Sequence, residues 1–505
     1  MQDAGDRLDI ERATRDDLPA FAARPVGAVA AVTAVVLFAL SGRYGFHRDE
    51  MYFLACGRRL AWGYPDQPPF APFLARLMSD LHSGVVVLRI PSDLAVAATV
   101  VFTGLIAREV GADRRGQLFA AAAIAISNLT LGSGHLFSTT TFGVTFWAVL
   151  FFLALRVLRT GQSRWWLLAG IVAGVALLDN DLVAFLAGAV FVSILIVGPR
   201  RVLLDRWLVA GVVVAAALWA PYLAWQARHG WPQLDVANSI AHGSSGSGGP
   251  RWSIPLEQLY LATPLLTPVW IAGLVRLLRR PELRWARALG ITWFVLLAAF
   301  VITGGKPYYL ALTMPLLIGA GAQPTVEWWS GRSSSARRGW VVALAISAVI
   351  DAIVTLPVVP LGALHATPVV AVNFDAGETV GWPAYADQLA AAWRTVDDPA
   401  AVIVAGNYGE AGAVDHYGGH RGLPHAYAVQ NAYWLWGPPP DNADDVLAIG
   451  FARSDLLTDF TIVTLVGRLH NRYGVDNVEQ GMPLWQCRHL RRPWPVVWRG
   501  LRRYG

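Results

Sequence analysis

The chain has 505 residues, a formal net charge of +6, and 15% charged against 55% hydrophobic residues. A soluble domain carries about 25% charged residues, so this composition, with a mean hydropathy of +0.42, excludes an ordinary soluble globular protein. The positive charge does not point to a nucleic-acid partner, because the arginines sit in short loops between apolar runs, where basic residues set orientation in a membrane.

Residues 1–24 form a polar tail of mixed charge, with no cleavable signal ahead of the first apolar run. A helix needs about 20 apolar residues to cross a bilayer, and about eleven spans are predicted, with ten to thirteen acceptable. They cover 25–42, 84–107, 116–131, 139–155, 165–178, 182–197, 207–225, 256–278, 288–302, 308–322 and 340–359. Several are short and could be tilted, broken or re-entrant. Alternate loops are rich in arginine, for example Arg108, Arg114 and Arg115, then Arg156, Arg159 and Arg164. The positive-inside rule places that set, and the N-terminus, in the cytoplasm. An odd span count then places the C-terminus outside. The expected protein is a polytopic α-helical membrane protein with an extracytoplasmic C-terminal α/β domain. Its expected divisions are a tail at 1–24, a transmembrane domain at 25–361 with an outer loop at 43–83, and the outer domain at 362–505.

In the first loop, Phe70, Phe73, Leu74, Leu77 and Leu81 recur at helical spacing. This predicts an amphipathic helix over 68–81 on the membrane surface, with Pro68 and Pro69 suited to its start. A second outer segment, 226–255, holds a Gly/Ser run at 243–250 that reads as flexible. In the tail, AVIVAG (401–406) and VLAIGF (446–451) read as buried strands, with a turn and helix between them. The basic extreme end, from Arg488 to Arg503, would touch anionic lipid headgroups if it lies outside. Cys56 and Cys487 both fall outside, where a disulfide can persist and would tie the first loop to the tail.

The densest polar cluster, 44–70, follows the first span. It places Asp49 and Glu50 beside His47 and Arg48. A carboxylate held near an apolar boundary gains basicity and can act as a general base; the plainer alternative is a solvated cluster at headgroup level. Arg58 and Arg59 could hold phosphate or lie on headgroups. Lys306 is the only lysine in the chain, and a compact ammonium suits a phosphate, although an interface lysine also snorkels. Tyr308 and Tyr309 could stack on a sugar or belong to an interfacial belt. Arg89 and Asp93, four residues apart, share a helical face and are expected to pair. In the tail, Glu410, Asp415, His416 and Asn431 form a polar set suited to a metal, to an acceptor, or to capping turns.

The order of these features resembles the GT-C superfamily of polyprenyl-phosphate-sugar-dependent glycosyltransferases. Within it, the chain resembles the protein O-mannosyltransferase and aminoarabinose transferase family, in particular an actinobacterial branch. The resemblance rests on HRDEMYFLACGRRLAWGYPDQPPFAPFLARL from His47, HLFSTTTF from His135 and GGKPYYLALTMPLL from Gly304. It continues in ETVGWPAY from Glu378, NYGEAGAVDHYG from Asn407 and NAYWLWGPP from Asn431. It implies a sugar donor on a polyprenyl phosphate and inverting transfer to a protein, lipid or glycan acceptor at the outer face of the plasma membrane. Phosphate leaves readily, so one base suffices, unlike the two carboxyl groups of glycosidases. Asp49 would be that base and Glu50 a helper. Lys306, with Arg58 and Arg59, would meet the donor phosphate. His47, Asp66, Gln67, Tyr308 and Tyr309 would line the substrate cavity. A divalent metal (Mg or Mn) on Asp49 and Glu50 is in doubt, because Gly143 stands where the family has a second acidic residue. Two other readings stand beside this one: a noncatalytic scaffold that binds the lipid carrier, and a lipid or sugar transporter.

Overall fold

The computed structural model describes residues 18–243 and 250–504. Most of the N-terminal tail and of the Gly/Ser run lies outside them. The chain forms two compact units that are discontinuous in sequence. One comprises Met1–Ala39, Ile90–Ala224 and Ile240–Ala352; the other comprises Leu40–Arg89, Trp225–Ser239 and Ile353–Gly505. The linear division expected at 361/362 therefore does not describe the compact units, since the first loop belongs with the C-terminal segment.

Among the described residues, six helices are long and apolar enough to cross a membrane: Ala23–Leu40, Val85–Glu109, Thr139–Thr160, Arg206–Arg228, Pro281–Thr303 and Ser334–Thr355. Two bent pairs raise this to as many as eight, and Trp165–Leu177 and Leu182–Val197 are shorter apolar helices. The protein is a multi-pass membrane protein. On the longest helices, apolar side chains such as Val35 (65% exposed) and Val342 (56% exposed) face outward, as lipid-facing surfaces require.

Three of the expected spans are interrupted, each for a local reason. The 116–131 span is two helices, Arg114–Ala125 and Asn128–Gly134, bent by 52°. Ser127 accepts a hydrogen bond from the Thr130 N–H and starts the second helix as its N-cap. The 256–278 span bends by 90° between Arg251–Leu261 and Pro264–Arg279. There Thr263 has a φ of 72° and precedes a proline, which disfavours helical backbone. The two bends satisfy one another: the Asn128 N–H donates to Thr263 Oγ1 (3.1 Å) and its side-chain amide donates to the Tyr260 carbonyl (3.0 Å). Broken backbone at membrane depth needs such internal partners. The 308–322 span is a short helix, Pro307–Ala311, followed by Met314–Ser330.

In this first unit, helices Thr267–Arg279 and Met314–Ser330 pack through Gly273 and Gly321. A Cβ at either position would lie 1.9 Å from a carbonyl oxygen of the other helix, so only glycine permits this approach. Not all of the loop arginines are simply solvated. Arg156 and Arg159 bond the two oxygens of fully buried Glu109 at 2.9 and 2.7 Å.

The second unit contains the helix Arg48–Arg58, the amphipathic helix Phe70–Leu81 and a five-stranded sheet. The amphipathic helix buries Ala71, Pro72 and Ala75 and leaves Phe73, Leu77 and Leu81 exposed. The strands are β1 (Val402–Ala405), β2 (Ala426–Ala428), β3 (Val446–Ile449), β4 (Phe460–Arg468) and β5 (Pro483–Leu490), in the order β2-β1-β3-β5-β4. The β2-β1-β3 part is parallel, and β5 runs antiparallel to β3 and β4. Residues of β1 and β3 are buried on both faces, as in parallel sheets covered by helices.

One expectation is corrected here. Cys56 and Cys487 are both buried and form no disulfide; Cys487 sits in mid-sheet, in register with Val446 and Val463. In the basic C-terminal end, Arg488 bonds Asp445 (3.0 Å) and Arg492 bonds Asp459 (2.5 Å), and both arginine side chains stay about half exposed.

Candidate functional site

The helix Arg48–Arg58 begins with a capping box. The His47 ring accepts from the Asp49 N–H at 3.2 Å, and Glu50 accepts from the His47 N–H at 2.8 Å. His47 Nε2 faces Asp375 at 3.5 Å, so the tautomer that serves both contacts carries its proton on Nε2. His47 thus organises the start of the helix that presents the acidic pair.

The pair then divides. Glu50 is fully buried, and Arg89 grips it twice, Nε to Oε1 at 2.7 Å and Nη2 to Oε2 at 2.8 Å. Arg89 also donates to the carbonyls of Ser41 (2.7 Å) and Gly45 (3.0 Å). This corrects the expected Arg89–Asp93 pair. Both Glu50 oxygens are thus on the guanidinium, which a cation shared with Asp49 would have to displace. Among the described residues, no group of three or more His, Cys, Asp or Glu side chains is arranged to hold a metal ion.

Asp49 has a side chain 40% exposed. Its Oδ1 accepts the Tyr408 hydroxyl at 2.8 Å; Arg48 Nε is 3.7 Å from Oδ1, and His47 Nδ1 is 3.8 Å from Oδ2. Asp66 receives Tyr52 Oη on Oδ1 (2.7 Å) and the Asn431 amide on Oδ2 (3.0 Å). Burial outweighs these bonds and pushes the Asp66 carboxyl up to about 6. The neighbouring Gln67 is buried, and its carbonyl accepts from the Tyr64 N–H.

Arg58 and Arg59 turn toward the C-terminal segment. Arg58 donates to the Asp415 carbonyl (3.1 Å). Arg59 lies 3.3 Å from His425 Nε2 and 4.5 Å above the Trp436 ring. Both remain exposed, so a phosphate would compete with these contacts. Lys306, Tyr308 and Tyr309 lie in the first unit. Lys306 stands at the start of helix Pro307–Ala311, with its ammonium 6.0 Å from the Tyr308 ring. Tyr309 packs edge-on against Tyr308 (4.9 Å) and Phe300 (5.7 Å). Gly304 ends the preceding helix at a φ of 72°, a conformation that favours glycine. Gly143 is buried in helix Thr139–Thr160; a Cβ there would meet only Leu312 Cδ2, at 3.9 Å, so backbone crowding does not demand glycine.

A profile of the dolichyl-phosphate-mannose-protein mannosyltransferase family matches residues 66–225. No curated protein sequence matches the chain. Among solved structures, ArnT from Cupriavidus metallidurans bound to undecaprenyl phosphate is similar with a TM-score of 0.61 at 17% identity. That similarity covers 91% of this chain and 97% of ArnT. The apo state of the same protein gives 0.62 at 15% identity over the same shares. The chain shares the fold of ArnT. The archaeal oligosaccharyltransferase AglB from Archaeoglobus fulgidus, in complex with an inhibitory peptide and a dolichol-phosphate, is a more distant likeness. Its TM-score is 0.48 at 13% identity, over 84% of this chain and 69% of AglB.

Several residues of the candidate site carried no individual signal in the sequence. Tyr52 and Tyr408 are ordinary buried aromatics by composition, yet each donates to a first-loop carboxylate. Glu378 and Glu479 are fully buried, and burial raises the pKa of both. Arg48 Nη1 stands 3.6 Å from Glu378. Glu410 and Glu479 line a cavity of about 20 Å³, room for a water, together with Trp382 and Tyr385.

Glu410 caps its helix, Tyr408–Tyr417, by accepting from the Gly406 (2.9 Å) and Asn407 (3.2 Å) N–H groups. Burial still pushes its carboxyl up to about 7, from an ordinary 4.5, against those bonds and the charge of Arg503. The folded state therefore holds the extra proton between those values, and stability falls as pH rises through that window. The cost reaches about 3 kcal/mol above pH 7 at 1.36 kcal/mol per unit. Glu410→Gln keeps an acceptor oxygen but carries no charge. Its melting temperature should match wild type near pH 4.5 and exceed it at pH 8; equal pH profiles for the two proteins would refute this account.

Proposed function

We propose that this protein is a glycosyltransferase that takes a sugar from a polyprenyl phosphate and transfers it, with inversion, to an acceptor hydroxyl on the outer side of the plasma membrane. The observation that carries the reading is the division of the acidic pair. Glu50 is fully engaged with Arg89, whereas Asp49 is partly exposed, with one oxygen bonded and the other more than 3.5 Å from its nearest cationic side chain.

In the proposed step, the acceptor oxygen forms a bond to the anomeric carbon while its proton passes to Asp49. The anomeric C–O bond breaks, and its electron pair leaves on the polyprenyl phosphate. The match to the mannosyltransferase family over 66–225 and the GT-C fold support this chemistry; ArnT itself is described with undecaprenyl phosphate bound. The N-terminus would then be cytoplasmic and the sheet-bearing C-terminal segment extracytoplasmic. A noncatalytic carrier-binding scaffold is the second reading, and Gly143 in place of an expected acidic residue is what favours it.

The test is turnover by the purified protein in lipid nanodiscs, using a panel of radiolabelled polyprenyl-phosphate sugars. Transfer or release of label from one donor class is the expected result. Binding of polyprenyl phosphate without turnover of any donor would overturn the transferase reading in favour of the scaffold.

A further inference from the structure

Two of the first-loop carboxylates, Asp49 and Asp66, are held by tyrosine hydroxyls, and the two tyrosine rings pack against one another. Tyr408 donates to Asp49 and Tyr52 donates to Asp66, with the two rings 4.6 Å apart and 30° from parallel. Tyr52 Oη in turn accepts from the Ala432 N–H at 3.1 Å, and Asn431 completes Asp66. Tyr408 opens a helix of the C-terminal segment, 359 residues from Asp49. The helix comes close enough because it presents glycines to the first-loop helix. A Cβ at Gly409 would lie 2.8 Å from Arg48 Cβ, and one at Gly412 would lie 3.0 Å from Met51 Cβ.

We propose that Tyr408 is a positioning residue for the transfer reaction: it occupies Oδ1 of Asp49, leaving Oδ2 as the atom that takes the acceptor proton. The C-terminal segment is then part of the active site and not only an appendage that presents acceptors. This rests on the reading of Asp49 as the base.

The geometry separates the two oxygens. Oδ1 already accepts a short hydrogen bond, so a second donor there would have to compete with it. Oδ2 has His47 Nδ1 at 3.8 Å, beyond hydrogen-bond distance, and the carboxylate is partly exposed. The phenol stays a donor at all working pH values, because burial and the nearby Asp49 charge push Tyr408 well above its ordinary range. The charged groups around Asp49 are His47 and Arg48 at the start of its own helix, Glu378 from the C-terminal segment and Asp66 from the loop. Tyr408 is the neutral donor among them. The hydroxyl therefore orients the base through Oδ1.

Tyr408→Phe removes the hydroxyl and keeps the ring that packs against Tyr52. Its kcat should fall about 10- to 100-fold, with KM for the donor changed less than about twofold. An unchanged kcat, or a loss carried by KM alone, would overturn the proposal. A cycle of Tyr408→Phe and Asp49→Ala, each of which removes the contact, read by melting temperature, tests it without any turnover. The double variant should melt higher than the sum of the single losses predicts, and strict additivity would overturn the pairing. If the cycle shows coupling while wild type turns over no donor, the base assignment falls and this role falls with it. Coupling alongside an unchanged kcat in Tyr408→Phe would overturn this role alone.

Discussion

Asp49→Asn should abolish measurable transfer, by about 10²- to 10⁴-fold in kcat, the range for loss of a general base. The loss should appear with the protein still folded. Asp49 sits in the first turn of a helix whose N-terminus is capped by His47 and Glu50, and neither of those bonds uses its side chain. Its side chain is partly exposed, so an amide there replaces no buried ion pair. The amide oxygen can still accept the Tyr408 hydroxyl, which keeps the geometry while removing the basicity. The comparison that decides the matter is single-turnover label transfer beside carrier binding. Loss of transfer with binding retained is expected. Wild-type rates in the variant would end the assignment of Asp49 as the base.

The largest effect on stability should come from the partner of its neighbour. Arg89 and Glu50 are 1% and 0% exposed, and each supplies the charge that makes burial of the other tolerable. Removing one partner from such a pair costs about 3–5 kcal/mol, because an uncompensated charge is left buried. Arg89 also holds the carbonyls of Ser41 and Gly45, so its loss leaves two further acceptors unserved. Glu50→Gln and Arg89→Met should each lower the melting temperature strongly. The double change Glu50→Met with Arg89→Met should recover much of the loss, since an apolar pair is often no worse than a buried ion pair. If both single variants melt with wild type, Glu50 is not structural and its exclusion from the chemistry fails.

These two residues show where sequence reading ends. Asp49 and Glu50 are adjacent and chemically alike, so no local pattern separates them. One goes to a base-like position and the other to a structural pair only because Arg89, 39 residues later, comes back against the same helix. Helical spacing within Val85–Glu109 made Asp93 the natural partner for Arg89. Packing chose Glu50, since a buried guanidinium needs a bidentate carboxylate and several carbonyls at once.

The bent spans follow the same logic. Hydropathy sees 116–131 and 256–278 as continuous because it counts apolar residues. The bends come from Ser127 and Thr263, and they are tolerable because Asn128 reaches across to the other bend.

The sequence by itself determined the membrane class, the amphipathic helix after Pro69, the buried strands at 402–405 and 446–449, and the first-loop cluster that marks the candidate site. All of these depend on residue types recurring at short range, through apolar run length, helical or strand period, and capping signals. Only the tertiary structure decided which acidic residue keeps an open oxygen. It alone brought Tyr408 to Asp49 across 359 residues, left the two cysteines apart and turned Arg58 and Arg59 toward the C-terminal segment. The physical reason is that a buried charge or hydroxyl is governed by the partner that packing delivers, and such partners are set by the folded surface rather than by proximity along the chain.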